Sequence, residues 1–97
     1  MATDIKFTWN PRKAKLNLRD HGISFDQAKQ VFDDPFYVTA GDCDWRGEVR
    51  LHAIGRIKSQ LLVVVAFLGE TENDADIHFH IIMAPKGEAL EEMIYAK

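Results

Sequence analysis

Five side chains in the second half of this 97-residue sequence carry most of its chemical potential: Arg50, His52, Arg56, His78 and His80. Histidine titrates near neutral pH and so can take up a proton or deliver one. Arginine offers a planar fork that matches phosphate oxygens. Together they supply a base, an acid and a cation, the parts needed to break a phosphodiester without a metal. Their spacing puts them on one surface. In Glu48–Arg56 residue types alternate, so a β pleat turns Glu48, Arg50, His52 and Arg56 one way and Val49, Leu51 and Ala53 the other. Ile77–Met83 alternates again, with Ile77, Phe79, Ile81 and Met83 on one side and His78, His80 and Ile82 on the other. If the apolar sides share a core, the imidazoles and guanidiniums share the opposite face. Glu91 and Tyr95, near the C-terminal end, are placed to orient them. Two other readings use the same residues. They are polar groups on an exposed sheet face, or His52, His78 and His80 form a three-imidazole zinc site. No cysteine or carboxylate pattern accompanies such a metal site and the arginines would repel a cation, so the expectation is no metal.

The elements that must position these residues follow from pattern and punctuation. Ile5, Phe7 and Trp9 alternate with Lys6 and Thr8, which predicts a short half-buried strand. Asn10-Pro11 then opens a basic helix that Gly22 closes, with Arg12, Lys13, Lys15 and Arg19 on its exposed side. Ser24 and Gln27 form a capping box for a second helix, with Phe25, Ala28, Val31 and Phe32 at helical spacing until Asp33-Asp34-Pro35. Phe36–Thr39 reads as a strand, followed by a polar loop over Gly41–Gly47 that contains Cys43 and Trp45. Leu61–Phe67 is a continuous apolar run, as in a central strand covered on both faces. Gly87 precedes a last helix, Glu88–Tyr95, expected to turn Leu90, Met93 and Ile94 inward. The order β-α-α-β-β-β-β-α predicts one small α+β domain over residues 1–97, an antiparallel sheet packed with helices.

Composition narrows the function classes. With 46% hydrophobic and 28% charged residues this is an ordinary folded domain. No run approaches the roughly 20 apolar residues of a membrane span, and the first residues lack a basic-then-apolar secretory pattern. A cytoplasmic location is therefore expected, and the single cysteine, Cys43, has no internal disulfide partner. The net charge of −3 is uneven, about +3 over residues 1–32 and −6 over the rest. An acidic total argues against a generic nucleic-acid coat, because non-specific binding is driven by phosphate neutralisation.

An ordered set of short motifs resembles the BrnT family of toxins from bacterial type II toxin–antitoxin systems. The pieces are Phe7-Thr8-Trp9-Asn10 with Lys13-Ala14 and Asn17, His21-Gly22-Ile23-Ser24-Phe25 with Ala28, Val31-Phe32-Asp33-Asp34-Pro35, Gly47-Glu48-Val49-Arg50 with Ile54-Gly55, and Ile81-Ile82 with Glu91 and Tyr95. The resemblance implies a RelE-like fold that cleaves RNA with neither metal nor cofactor. It also implies neutralisation by a BrnA-type antitoxin, promoter DNA binding only through the antitoxin complex, and assembly as a homodimer or a toxin–antitoxin heterotetramer, with no membrane partner. Cleaving RNA this way needs a base for the 2′-hydroxyl, an acid for the leaving 5′-oxygen and cations for the phosphate charge. The roles expected are phosphate binding by Arg50 and Arg56, and proton transfer by His80 with His52 or His78, oriented by Glu91 and Tyr95. Further RNA contacts are expected from His78, Lys86 and Trp45, the tryptophan by stacking on a base or filling a partner's pocket. Family members usually read Arg-Ile-Ile-Ser-Ala-Arg-Lys-Ala where this chain reads His80-Ile81-Ile82-Met83-Ala84-Pro85-Lys86-Gly87, so His80 and Pro85 stand in place of two arginines. That substitution opens an alternative reading, a catalytically weakened homologue that acts by binding its antitoxin or as a regulatory partner.

Overall fold

A computed structural model describes residues 5–43, 49–73 and 76–96 of the chain. The first strand, β1 (Ile5–Trp9), is followed by helix α1 (Pro11–His21). The Asn10 side chain accepts the Arg12 amide at 2.8 Å, proline takes the first helical position, and Gly22 ends the helix at φ 71° while its amide donates to the Leu18 carbonyl. Only glycine adopts that left-handed conformation without steric cost. The predicted capping box is present: Ser24 Oγ accepts the Gln27 amide and Gln27 Oε1 accepts the Ser24 amide, each at 3.0 Å. Helix α2 (Phe25–Ala28) lasts one turn and tightens into a 3-10 turn over Lys29–Asp33 before Pro35.

Strands β2 (Val38–Cys43), β3 (Val49–Arg56), β4 (Leu62–Asn73) and β5 (Asp76–Met83) precede helix α3 (Ala89–Tyr95). The sheet order is β1-β5-β4-β3-β2. Three of its four pairings are antiparallel, in keeping with the antiparallel sheet expected from sequence, and β1 alone runs parallel to its neighbour, β5. Periodicity sets which face a side chain takes, not which strand lies beside which. The second strand starts two residues later than expected, because Asp34 captures the Phe36 amide with its carboxylate and the Tyr37 amide with its carbonyl, holding both in a turn. It also continues to Cys43, into the stretch expected as loop. Trp45 lies outside the described residues.

The core lies between the sheet and the first two helices. Ile23, Phe25, Ala28 and Val31 pack on Ala53, Val63, Val65, Phe67 and Ile81, all buried. Phe32 meets Phe67 edge-on at 5.2 Å, and Phe67 meets Phe79 at 4.5 Å, spacings typical of favourable aromatic pairs. On the opposite face β4 is only half-buried at Val64, Ala66 and Leu68, so the central strand is covered fully on one side alone.

Helix α3 sits on that second face and departs from expectation. None of its residues is buried, and Leu90 (63% exposed), Met93 (66%) and Ile94 (36%) are uncovered rather than inward. What holds the helix is polar: Tyr95 donates to Asp34, and Glu92 accepts from Arg56. A helical period defines a stripe but not the surface it meets.

Candidate functional site

Because Phe7 and Trp9 enter the core, the pleat of β1 turns Lys6 and Thr8 to the second face. The parallel register sets Lys6 beside His78 and Thr8 beside His80. Thr8 Oγ1 then lies 2.7 Å from His78 Nε2 and 2.9 Å from His80 Nδ1. A hydroxyl has one proton, so it donates to one of these nitrogens and accepts an N–H from the other. When both rings are neutral, the one that donates to Thr8 carries a bare nitrogen on its far side. The ring that accepts from Thr8 carries an N–H there. Because Thr8 meets Nε2 of His78 but Nδ1 of His80, the bridge holds both histidines in the same tautomer, with one outward base and one outward donor.

Arg50 and His52 share this face, as the alternation of β3 predicts, but not this cluster. Strand β4 runs between: His52 pairs with Ala66 on one side of it and His80 with Leu68 on the other. Two strand spacings put the β3 residues about 10 Å from the imidazole pair. The three-histidine metal set is not assembled for the same reason, and among the described residues no group of three or more metal-ligating side chains converges. His52 instead lines a groove of about 550 Å³ between the sheet and α3, together with Ile54, Val64, Lys86, Leu90 and Ile94. Glu91 also lines this groove, but its Oε1 accepts the Glu88 amide at 2.9 Å as the cap of α3. Its contact with a histidine, expected from sequence, is not among those formed.

Arg56 and Tyr95 belong to a third group at the far end of β3. The Arg56 guanidinium donates to the Gln60 carbonyl at 2.9 Å and to Glu92 at 3.2 Å, and its central carbon lies 5.3 Å from the Tyr95 ring centroid. Asp34 Oδ2 accepts both the Arg56 amide at 2.8 Å and the Tyr95 hydroxyl at 2.7 Å. Partial burial works to raise the Asp34 pKa, but the hydrogen bonds from the Arg56 amide, the Tyr95 hydroxyl and the Phe36 amide outweigh it and hold the carboxyl below its ordinary value. The same hydrogen bond to Asp34 raises the Tyr95 pKa, with desolvation adding to it. These groups fringe a cavity of about 310 Å³.

Thr8 and Asp34 are the residues that motif reasoning on the chemistry-bearing side chains did not single out. The signal for Thr8 was available in the alternation of β1, which already placed it opposite Phe7 and Trp9. Which strand it would neighbour was not.

A family model described as the ribonuclease toxin BrnT of a type II toxin–antitoxin system matches residues 9–89. The chain belongs to the BrnT toxin family. No curated protein sequence matches it significantly. Among solved structures, the ribonuclease toxin BrnT of Brucella abortus superposes with a TM-score of 0.61 at 17% identity, over 89% of this chain and all of that one. At that identity the likeness establishes a shared fold: the small α+β domain described above is a BrnT fold. The family is one of ribonuclease toxins paired with antitoxins, and no helix among the described residues is long and apolar enough to cross a membrane.

Proposed function

We propose that this BrnT-family chain cleaves RNA without a metal, through the His78–Thr8–His80 bridge, and is neutralised in the cytoplasm by a BrnA-type antitoxin. The observation that carries the proposal is the hydroxyl held at 2.7 Å and 2.9 Å between two imidazoles on an accessible sheet face. In one direction the sequence of transfers is complete. The outer nitrogen of His78, bare in the tautomer that donates to Thr8, takes the proton of a ribose 2′-hydroxyl as that oxygen attacks the phosphorus. His78 passes its Nε2 proton to Thr8, Thr8 passes its own to His80 Nδ1, and His80 releases its outer proton to the departing 5′-oxygen. The products are a 2′,3′-cyclic phosphate and a free 5′-hydroxyl, and protons balance with both tautomers inverted. Exchange with water resets them. Lys6, beside His78 in register, and Arg50, across β4, supply positive charge for the phosphates along the strand. His52 and Lys86 extend the same track towards α3.

Incubation with a fluorescent single-stranded RNA in EDTA tests this. Thr8→Val keeps the β-branched shape and removes the hydroxyl, so cleavage should fall by about 10²–10⁴, the usual contribution of positioned acid–base groups. His80→Ala should fall at least as far, with folding confirmed by circular dichroism. Full activity in Thr8→Val would remove the relay, and full activity in both Arg50→Ala and His80→Ala would remove the site.

A second reading is favoured by the cation arrangement. His80 and Pro85 occupy positions where the family resemblance implies arginine, Arg50 is a strand away, and the Arg56 guanidinium is already engaged by Gln60, Glu92 and Tyr95. With less charge at the scissile phosphate, the chain would act as a weak nuclease whose main role is to bind its antitoxin. No cleavage at any protein concentration, with antitoxin binding intact, selects this reading.

A further inference from the structure

We infer that the groove between α3 and the sheet, continued by the uncovered side of α3, is the surface on which the antitoxin docks; this rests on the toxin–antitoxin reading above. Helix α3 buries none of its residues, although its sequence carries an apolar stripe. Leu90 and Ile94 form one wall of the 550 Å³ groove, with Ile54 and Val64 as its floor, and Met93 lies 66% exposed on the same helix. The groove thus has apolar residues on both its sheet side and its helix side, with His52, Lys86 and Glu91 also in its lining. Exposed apolar surface of this kind marks an interaction site. The outer rim is made by Ala40 and Gly41 of β2, which is one of the two edge strands of the sheet and offers backbone groups to an added segment.

Charge selects the occupant. Glu88, Glu91 and Glu92 surround the stripe; Arg56 pairs with Glu92, and Lys86 is the cation among the groove-lining residues. Carboxylates repel an RNA backbone, which argues against nucleic acid on α3 itself. Two copies of this chain meeting through α3 would bring the carboxylates of one helix up against those of the other, because a two-fold interface uses the same patch on both sides. A basic amphipathic segment satisfies both features, with apolar side chains in the groove and lysine or arginine at the rim. The partner with a place in this family is the antitoxin. Seated here, it covers His52 and Lys86 and blocks the RNA track at one end, while leaving the Thr8 bridge uncovered.

The test is isothermal titration of the full chain with the purified product of the gene beside its own, for wild type, Met93→Glu and Leu16→Glu. Leu16 is also an exposed apolar residue (41%), but lies on α1, on the other side of the sheet from α3. Met93→Glu should weaken binding at least 100-fold with an unchanged circular dichroism spectrum and melting curve, Met93→Leu should restore it, and Leu16→Glu should stay within about twofold. Equal affinity for wild type and Met93→Glu would overturn the docking surface while leaving the toxin–antitoxin reading intact. No binding by wild type would instead overturn that reading, and the docking surface with it. Sedimentation of the protein alone closes the remaining route: a dimer that Met93→Glu dissolves would assign this face to a second copy and refute the inference.

Discussion

Asn17 is a buried polar residue of the core, 5% exposed, and replacing it tests how the helical layer is fastened to the sheet. Its amide nitrogen donates to the Ile23 carbonyl at 2.8 Å and to the Ala84 carbonyl at 3.0 Å, while its oxygen accepts the Ala84 amide at 3.0 Å. One side chain on α1 thus satisfies the loop entering α2 and the segment leaving β5. Each such bond contributes about 1 kcal/mol net, and a buried group left without a partner costs about 1–3 kcal/mol. Asn17→Ala removes three bonds and strands three backbone groups beside residues that are 1% or less exposed, so a loss of about 3–5 kcal/mol follows. Against a total stability of about 5–15 kcal/mol that is a large share. For a domain of this size it lowers Tm by about 12–40 °C. Thermal melts followed by circular dichroism at pH 7 measure it directly. Asn17→Asp adds a sign test. Its carboxylate would face two carbonyl oxygens, so its folded-state pKa rises, and the variant should be relatively more stable at pH 4 than at pH 7. A drop of less than about 4 °C for Asn17→Ala would refute this account of the fastening.

Three further outcomes are expected. The depressed pKa of Asp34 means that its contribution is present above the ordinary aspartate value near pH 4 and lost as pH falls through the lower folded value, so Asp34→Asn should flatten the acid limb of the stability curve in urea titrations between about pH 4 and pH 2. Tyr95 has the opposite sign. Its raised pKa stabilises below about pH 10 and is lost above it, so Tyr95→Phe should remove that alkaline loss. At Gly87 an added Cβ would stand 2.7 Å from Leu62 Cδ2 and 2.9 Å from its Cγ, so Gly87→Ala should cost about 1–3 kcal/mol, measured by denaturant unfolding, with Leu62→Ala partly relieving the clash.

Local rules account for most of the elements. Asn10, Gly22 and the Ser24–Gln27 box mark real helix ends, and the alternation in β3 correctly separates Leu51 and Ala53 from His52 and Arg56. The shared face of the histidines and arginines was legible for the same reason. The division of that face into three groups was not, because it depends on β4 lying between β3 and β5, a non-local fact with no period in the sequence. Helix α3 shows the same limit from another side. Leu90, Met93 and Ile94 do form a stripe, but the hydrogen bond from Tyr95 to Asp34 and the ion pair of Glu92 with Arg56 decide how the helix lies, and those partners are 61 and 36 residues away.

The parallel pairing of β1 with β5 also sets the order in which activity can appear during synthesis. Thr8 meets His78 and His80 across separations of 70 and 72 residues, and no shorter piece of chain can bring them together. Closing so long a loop comes late and slowly in folding. A nascent or prematurely ended chain that lacks β5 therefore has α1, the capping box and part of the core, but no bridged imidazoles. On the proposed mechanism, a cell translating this message is exposed to the nuclease only once β5 has been made, and products that stop before it lack the bridge.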